Sequence, residues 1–344
     1  MKNKYYAEAV EKDTQSRADY LQGIETFLFR EKEDMDKKRN MFINPELYKK
    51  NSEGYREKLI DMLGFPLREQ RVNPTVEKTF VAEDCNVNIY RMTFTFFNDL
   101  KFYGIYFEQI EKSNKTPFIF GFHGGDGTPE LISSMHYNSS NYNHLVRRMT
   151  DMGANVFVPQ FLLWNIDLYG NSYNRLRIDG KLRQLGGSIT AMELYLLQCS
   201  LDYFIQSEEI NEDKIGVAGL SYGGMYAIHF AAIETRVKAC YSCSWVNDCF
   251  VNSWADWSYF NAQKYFTTAE TMALIAPRPL IVAMGKEDPL FPSTLTREEC
   301  ERVKPYYAIL KADDNFQYLL FDGKHEADKD NTELEFLFQN LIGE

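Results

Sequence analysis

The stretch KIGVAGLSYGGMYAIHF, Lys214 to Phe230, limits what this chain can fold into more than any other. It opens on an apolar run short enough for one buried strand and runs on into MYAIHFAAI, which reads as a helix. Between them stands Ser221, with Gly219 two residues before it, Gly223 two residues after, and Gly224 as a further small neighbour. A strand can give way to a helix in so few residues only through a sharp turn, and small flanking residues let neighbouring backbone approach without a Cβ clash. The spacing predicts a strained turn carrying Ser221, with a helix N-terminus behind it.

The remaining chain supplies the sheet that such a turn requires. Apolar segments recur as PFIFGFH (117–123), ANVFVPQ (154–160), KIGVAG (214–219), VKACYSC (237–243), PLIVAMG (279–285) and FQYLLF (316–321). Helical patterns separate them near Asn143 to Met152, Ile189 to Gln206, after Ser221, and from Asp330 to Leu341. Thr190 and Glu193 suggest a capping box for the second of these. Continuous apolar strands alternating with helices predict an α/β fold, a mostly parallel central sheet with helices on both faces. Before it, Val76 to Phe107 is rich in Val, Thr, Phe and Tyr and predicts a short antiparallel meander. Residues 1–75 read as a helical extension packed on the core, one helix running from Asn44-Pro45 to Gly64-Phe65-Pro66. Residues 76–344 then form the main domain. Two aromatic, irregular stretches interrupt the alternation, near 161–187 and 245–272, and both leave strand ends where a parallel sheet binds ligands.

Composition narrows the partners. The net charge of -11 and the lack of a Lys/Arg block speak against nucleic acid and anionic membranes. No apolar run is long enough to span a bilayer, and MKNKYYAEAVEKDTQ has no secretory apolar region. The six cysteines are scattered, and Cys240 and Cys243 read as reduced thiols on and just after a buried strand. A reducing, cytoplasmic compartment is expected. The N-terminal helices could cap a pocket or join two copies, which leaves a homo-oligomer open. The histidines are dispersed with no metal spacing, and neither a phosphate loop nor a G-x-G-x-x-G turn follows any strand, so no metal and no cofactor are expected.

A serine hydroxyl is a weak nucleophile unless a base takes its proton and donors hold the oxyanion that forms. The chain has five histidines. His229 lies within the helix after the serine, and His136 and His144 sit in the polar segment MHYNSSNYNHL. His123 is better placed to hold its own loop. His325, in LLFDGKHEAD after the last strand, is the candidate base, since it alone follows Ser221 in a loop leaving a strand. The acid is Asp288 in IVAMGKEDPLFP, with Asp248 in SCSWVNDCF as the rival. The candidate oxyanion donors are the backbone N–H groups of Tyr222 and of Gly125, the latter in FIFGFHGGDGT. Trp164, Tyr169, Trp245, Trp254, Trp257 and Tyr259 are candidate pocket residues, offering flat faces to a small-molecule ester substrate, a sugar ester among them.

The segments GFHGGDG, EINEDKIGVAGLSYGGMYAIHFAAIETRVKACYSC, IAPRPLIVAMGKEDPLFP and GKHE together resemble the α/β-hydrolase superfamily from about residue 76 onward. Within it the chain is most similar to the dienelactone-hydrolase-related and acetyl-xylan-esterase-like serine hydrolases. The resemblance implies Ser221, Asp288 and His325 as a triad, with Gly125 and Tyr222 as oxyanion donors. Dienelactone hydrolases carry cysteine where this chain has Ser221, which favours an ordinary carboxylic ester; no long apolar lid helix is visible in the sequence, and a small acyl group is expected on that ground. SYGG also resembles the prolyl oligopeptidase catalytic domain, but the hundred or so residues ahead of FHGG are too few for a propeller. A peptidase or amidase without that gate is the alternative.

Overall fold

The computed structural model describes residues 6–136, 139–164, 173–207 and 210–343. Nine strands form one sheet: β1 (Thr75–Asp84), β2 (Val87–Phe96), β3 (Leu100–Gln109), β4 (Phe118–Phe122), β5 (Asn155–Pro159), β6 (Ile215–Leu220), β7 (Ala239–Cys243), β8 (Leu280–Gly285) and β9 (Phe316–Phe321). Their spatial order is β1-β2-β3-β5-β4-β6-β7-β8-β9. The first three pair antiparallel, β3 meets β5 antiparallel, and from β5 to β9 every pairing is parallel. The expected meander and the six apolar strands are all present.

The helices are α1 (Val10–Phe42), α2 (Pro45–Lys50), α3 (Ser52–Leu63), α4 (Pro129–Ile132), α5 (Leu145–Asp151), α6 (Arg175–Gln184), α7 (Ile189–Gln206), α8 (Tyr222–Ile233), α9 (Ala262–Tyr265), α10 (Thr268–Ala273), α11 (Ser293–Ile309) and α12 (Thr332–Ile342). They cover both faces of the sheet because its strands are apolar on both. In β4, Phe118, Phe120 and Phe122 join the layer with α3, α7, α8 and α11, while Ile119 joins the opposite layer with α5 and α12. Strand β8 divides the same way, Leu280, Val282 and Met284 on one side and Ile281 and Ala283 on the other. This is the period-two alternation of a strand, with both faces dry. Every residue of α8 is buried, so the helix behind Ser221 is the middle of the core.

Several local expectations need correction. The segment from Asn44 to Gly64 is two helices, because the Asn51 side chain accepts the Gly54 N–H and starts α3 afresh. Helix α7 is capped by Ser188, whose oxygen accepts from Ala191, and not by a Thr190/Glu193 box. The stretch 161–187 contains α6, and 245–272 contains α9 and most of α10, so neither is irregular throughout. A reciprocal capping box does occur, at Thr267 and Glu270 of α10.

Residues 6–30 are exposed. The later part of α1 is held by Arg39, which is buried and reaches Asp36, the Gln263 carbonyl and Glu270. Among the described residues no helix is long and apolar enough to cross a membrane.

Candidate active site

The glycines around Ser221 answer to distance. A Cβ on Gly219 would stand 2.2 Å from the Gly223 carbonyl oxygen, and one on Gly223 would stand 2.0 Å from the Phe122 carbonyl oxygen. On Gly224 it would stand 2.8 Å from the Cys243 carbonyl oxygen. Strand β6, helix α8 and strands β4 and β7 can therefore meet at this turn only through glycine. Ser221 has φ 60° and ψ −124°, a left-handed conformation that costs a non-glycine residue about 1–3 kcal/mol. It is held there by its N–H to the Cys243 carbonyl (2.8 Å) and its carbonyl to the Met225 N–H (3.0 Å). The serine is the N-cap of α8, so the positive end of a buried helix lies behind it.

His325 and Asp288 come from the loops after β9 and β8, which are neighbours in the sheet. Gly285 lets the loops touch, since a Cβ there would be 2.1 Å from the Lys324 carbonyl oxygen. The Glu287 N–H also donates to the Gly323 carbonyl at 2.9 Å. His325 Nδ1 lies 2.8 Å from Asp288 Oδ2, while Asp288 Oδ1 accepts the N–H groups of Leu290 (2.8 Å) and Phe291 (3.0 Å). A carboxylate in such bonds only accepts, so Nδ1 carries the proton and Nε2 is left as the basic nitrogen. The rival Asp248 is engaged elsewhere, 3.3 Å from Lys32 of α1 and accepting the Phe250 N–H at 2.9 Å.

Ser221 and His325 leave strands at the same end of the sheet, with Cys243 between them. The Cys243 carbonyl takes the Ser221 N–H, and its thiol donates to the Glu326 carbonyl at 3.3 Å. Burial pushes that thiol's pKa up to about 12, which keeps it protonated as a donor. Among the described residues Ser221 Oγ makes no hydrogen bond to the imidazole.

The loop after β4 is built to aim one N–H. The Gly124 carbonyl accepts from His123 Nδ1 (2.9 Å) and from the Gly127 N–H (3.0 Å). In a trans peptide the Gly125 N–H points opposite to that carbonyl, so pulling the oxygen back fixes the N–H forward. His123 Nε2 accepts the Phe161 N–H at 3.0 Å, which leaves the proton on Nδ1. Burial lowers the His123 pKa to about 4 and keeps this tautomer neutral. The Gly124 N–H donates to the Tyr142 hydroxyl at 2.7 Å, and Asn141 next to it donates to the His325 carbonyl at 2.9 Å. One short segment thus ties the glycine loop to the histidine loop. Among the described residues the N–H groups of Gly125 and Tyr222 donate to no protein acceptor. A Cβ on Gly124 would be 3.2 Å from Ser221 Cβ, so the glycine loop runs past the serine.

The other histidines lie apart. His229 is buried on the Met225 carbonyl with its pKa lowered to about 4 by burial, His144 contacts Ser134, and His136 is exposed.

The candidate pocket residues divide. Trp164 and Trp254 stack at 4.6 Å and 9°, and both line a cavity of about 450 Å³ together with Tyr173, Arg175, Tyr222 and Asp256. Trp245 and Trp257 are almost wholly buried, edge to face, and border a different cavity of about 270 Å³ that also takes in Tyr259. Tyr169 lies outside the described residues.

Sequence reasoning missed the charges beneath the first cavity. Arg175 Nε reaches Asp256 (2.6 Å), and its terminal nitrogens reach Glu193 (3.1 Å) and the Tyr226 hydroxyl (2.9 Å). Burial alone would lower its pKa, but Tyr226, Glu193 and Asp256 outweigh burial and hold it well above the ordinary arginine value. The Tyr222 hydroxyl donates to Asp256 at 2.9 Å, and its pKa is raised by burial first and by that carboxylate second. One signal was available: Glu193 is the only charged residue in the apolar run Ile189 to Ser200.

These features define an α/β-hydrolase fold: the parallel sheet, the serine-bearing turn after β6, and the Asp288 and His325 loops after β8 and β9. No protein-family model matches the chain. It is 27% identical over 186 residues to the Bacillus subtilis (strain 168) protein named "Putative hydrolase YtaP", a match covering 50% of this chain and 59% of that protein. The glucuronoyl esterase from Solibacter usitatus superposes with a TM-score of 0.65 at 14% identity, covering 86% of this chain and 94% of that one. Acetyl xylan esterase 1 from Thermoanaerobacterium sp. JW/SL YS485 superposes with a TM-score of 0.53 at 18% identity over the same shares.

Proposed function

We propose that this protein is a serine hydrolase of carboxylic esters, acting through Ser221, His325 and Asp288. The observation that carries the reading is the His325–Asp288 hydrogen bond of 2.8 Å, on loops held at the same end of the sheet as the strained Ser221 turn. Ser221 Oγ attacks the ester carbonyl while His325 Nε2 takes its proton. The C–O bond of the ester breaks as His325 returns that proton to the departing alcohol. Water then attacks the acyl-serine by the same route and releases the acid. Asp288 orients the imidazole and steadies its positive form. The N–H groups of Gly125 and Tyr222 hold the oxyanion, each contributing about 10²–10³ in rate in sites of this kind.

The substrate we favour is a small, acetyl-like ester of a carbohydrate. Two carbohydrate-directed esterases share the fold, and the stacked Trp164 and Trp254 give the cavity beside Tyr222 a flat aromatic wall. Arg175, the cation on that wall, is already engaged by two carboxylates, which favours a neutral ligand over an anionic one.

Fluorophosphonate labelling followed by peptide mapping tests the nucleophile, and attachment anywhere other than Ser221 overturns the reading. Hydrolysis of p-nitrophenyl acetate faster than of aminoacyl-nitroanilides tests the ester preference. The reverse order would make the protein an amidase.

A further inference from the structure

Trp164 touches both candidate oxyanion donors at once. Its backbone N–H donates to the Gly125 carbonyl at 2.8 Å. Its indole Nε1–H donates to the Tyr222 hydroxyl at 3.0 Å. The indole also lies flat against the glycine loop, since a Cβ on Gly125 would stand 2.8 Å from Trp164 Cε3 and 2.9 Å from Cδ2. Gly125 and Tyr222 come from loops after different strands, β4 and β6, and Trp164 comes from a third, after β5. We propose that Trp164 is a positioning residue that sets the spacing between the two halves of the oxyanion site.

The remaining contacts of Trp164 and Tyr222 fit that role. The Tyr222 hydroxyl donates its own hydrogen bond to Asp256, and Asp256 is anchored by Arg175 at 2.6 Å. The chain of bonds from Trp164 through Tyr222 to Asp256 thus ends on a buried ion pair. Tyr222 is the first residue of α8, so fixing its ring fixes the direction of the helix's first free N–H. On the other side Trp164 packs edge to face against the Tyr222 ring at 5.4 Å and stacks on Trp254. Gly125 has no side chain with which to hold itself, and the indole occupies the space a side chain would fill. Oxyanion donors stabilise the transition state only when aimed at the developing charge, so a shift of a few tenths of an ångström at either loop registers in the chemical step before it registers in binding.

This inference rests on the proposed ester hydrolysis at Ser221. Its test compares Trp164→Phe, Tyr222→Phe and the double variant on p-nitrophenyl acetate, with Ser221→Ala alongside and thermal melting of each. Trp164→Phe keeps an aromatic ring and the backbone bond to Gly125 but removes the indole donor. The expected result is a roughly tenfold fall in kcat for each single variant with KM within about twofold, and a double variant no slower than the slower single one, because both remove the same bond. Lowered melting temperatures with unchanged kcat would make Trp164 merely structural. A rise in KM alone would make it a substrate contact, and multiplying losses in the double variant would break the link between the two residues; each of these overturns the inference. Should Ser221→Ala retain full activity, the proposed nucleophile fails instead. If Tyr222→Phe or the double variant misfolds, fluorophosphonate labelling of Trp164→Tyr, which restores a polar donor to the ring, replaces it, and labelling closer to the wild-type rate than that of Trp164→Phe is then the expected result, with equal rates overturning the inference; if Trp164→Phe misfolds, Trp164→Tyr is compared with wild type alone, a loss in labelling rate below about tenfold being expected and a larger one overturning the inference.

Discussion

His325 Nδ1 stands 2.8 Å from Asp288 Oδ2, and the second oxygen of that carboxylate is held by two backbone N–H groups, those of Leu290 and Phe291. Its side chain is fully shielded from solvent, whereas the histidine's is 15% exposed. The acid is thus held by its own loop as well as by the histidine, and the imidazole stays partly open to solvent.

Replacing Asp288 should therefore cost far more than replacing Asp248. Asp288→Asn removes the charge that stabilises an imidazolium and allows the wrong tautomer, and kcat should fall by about 10³–10⁴. Asp248→Asn breaks a half-buried pair with Lys32 and should leave kcat within about threefold, with a stability loss under about 1 kcal/mol. Steady-state kinetics and urea denaturation of both variants check this. A larger rate loss for Asp248→Asn would transfer the acid role to it.

Ser221 offers a test of stored strain. Its φ of 60° is relieved in glycine but not in alanine. Ser221→Gly should gain about 1 kcal/mol of stability over Ser221→Ala while both lose hydrolysis. Urea midpoints at constant slope report the difference, and equal midpoints would mean that the turn is not strained.

Gly223→Ala puts a methyl group 2.0 Å from the Phe122 carbonyl oxygen, where neither strand nor helix can yield cheaply. A loss of about 3 kcal/mol or more is expected, at the severe end for a single substitution. A variant with near wild-type melting temperature would show that the β4–α8 contact is looser than it stands.

Glu333 makes stability depend on pH. It is buried in the first turn of α12, and burial raises its pKa from 4.5 to about 7. A carboxyl with a raised folded pKa contributes stability that is complete below the unfolded value and is lost as pH rises through the folded one. Glu333→Gln should therefore gain stability relative to wild type between pH 4.5 and pH 8, a swing of on the order of 3 kcal/mol. Denaturation of both proteins across that window measures it, and parallel curves would mean that Glu333 titrates as an ordinary glutamate.

How far the site was legible follows from the kind of force behind each part. The glycines at 219 and 223 record short-range sterics, which any sequence must obey locally, so the turn at Ser221 could be read directly. The strands of the sheet announced themselves because burial on both faces demands continuous apolar runs. Asp288 and Asp248 both follow a strand end; the strand, glycine, acid and proline of IVAMGKEDP favoured Asp288, but the contact itself depends on β8 and β9 lying side by side. The Thr190/Glu193 box misled because Ser188 offered the same capping chemistry two residues earlier, which freed Glu193 for Arg175.

What the chain determined unaided is the part written in backbone sterics and burial: the α/β architecture, the serine on its turn, and a histidine loop after the last strand. Only the tertiary structure decided which carboxylate faces His325, that Trp164 bridges Gly125 and Tyr222, and that Arg175, Glu193 and Asp256 share one buried cluster. Those contacts join residues 18 to 81 positions apart. Hydrogen bonds and ion pairs of that span leave no periodic trace in sequence, because each requires only one suitable side chain at each end and a fold that brings the ends together.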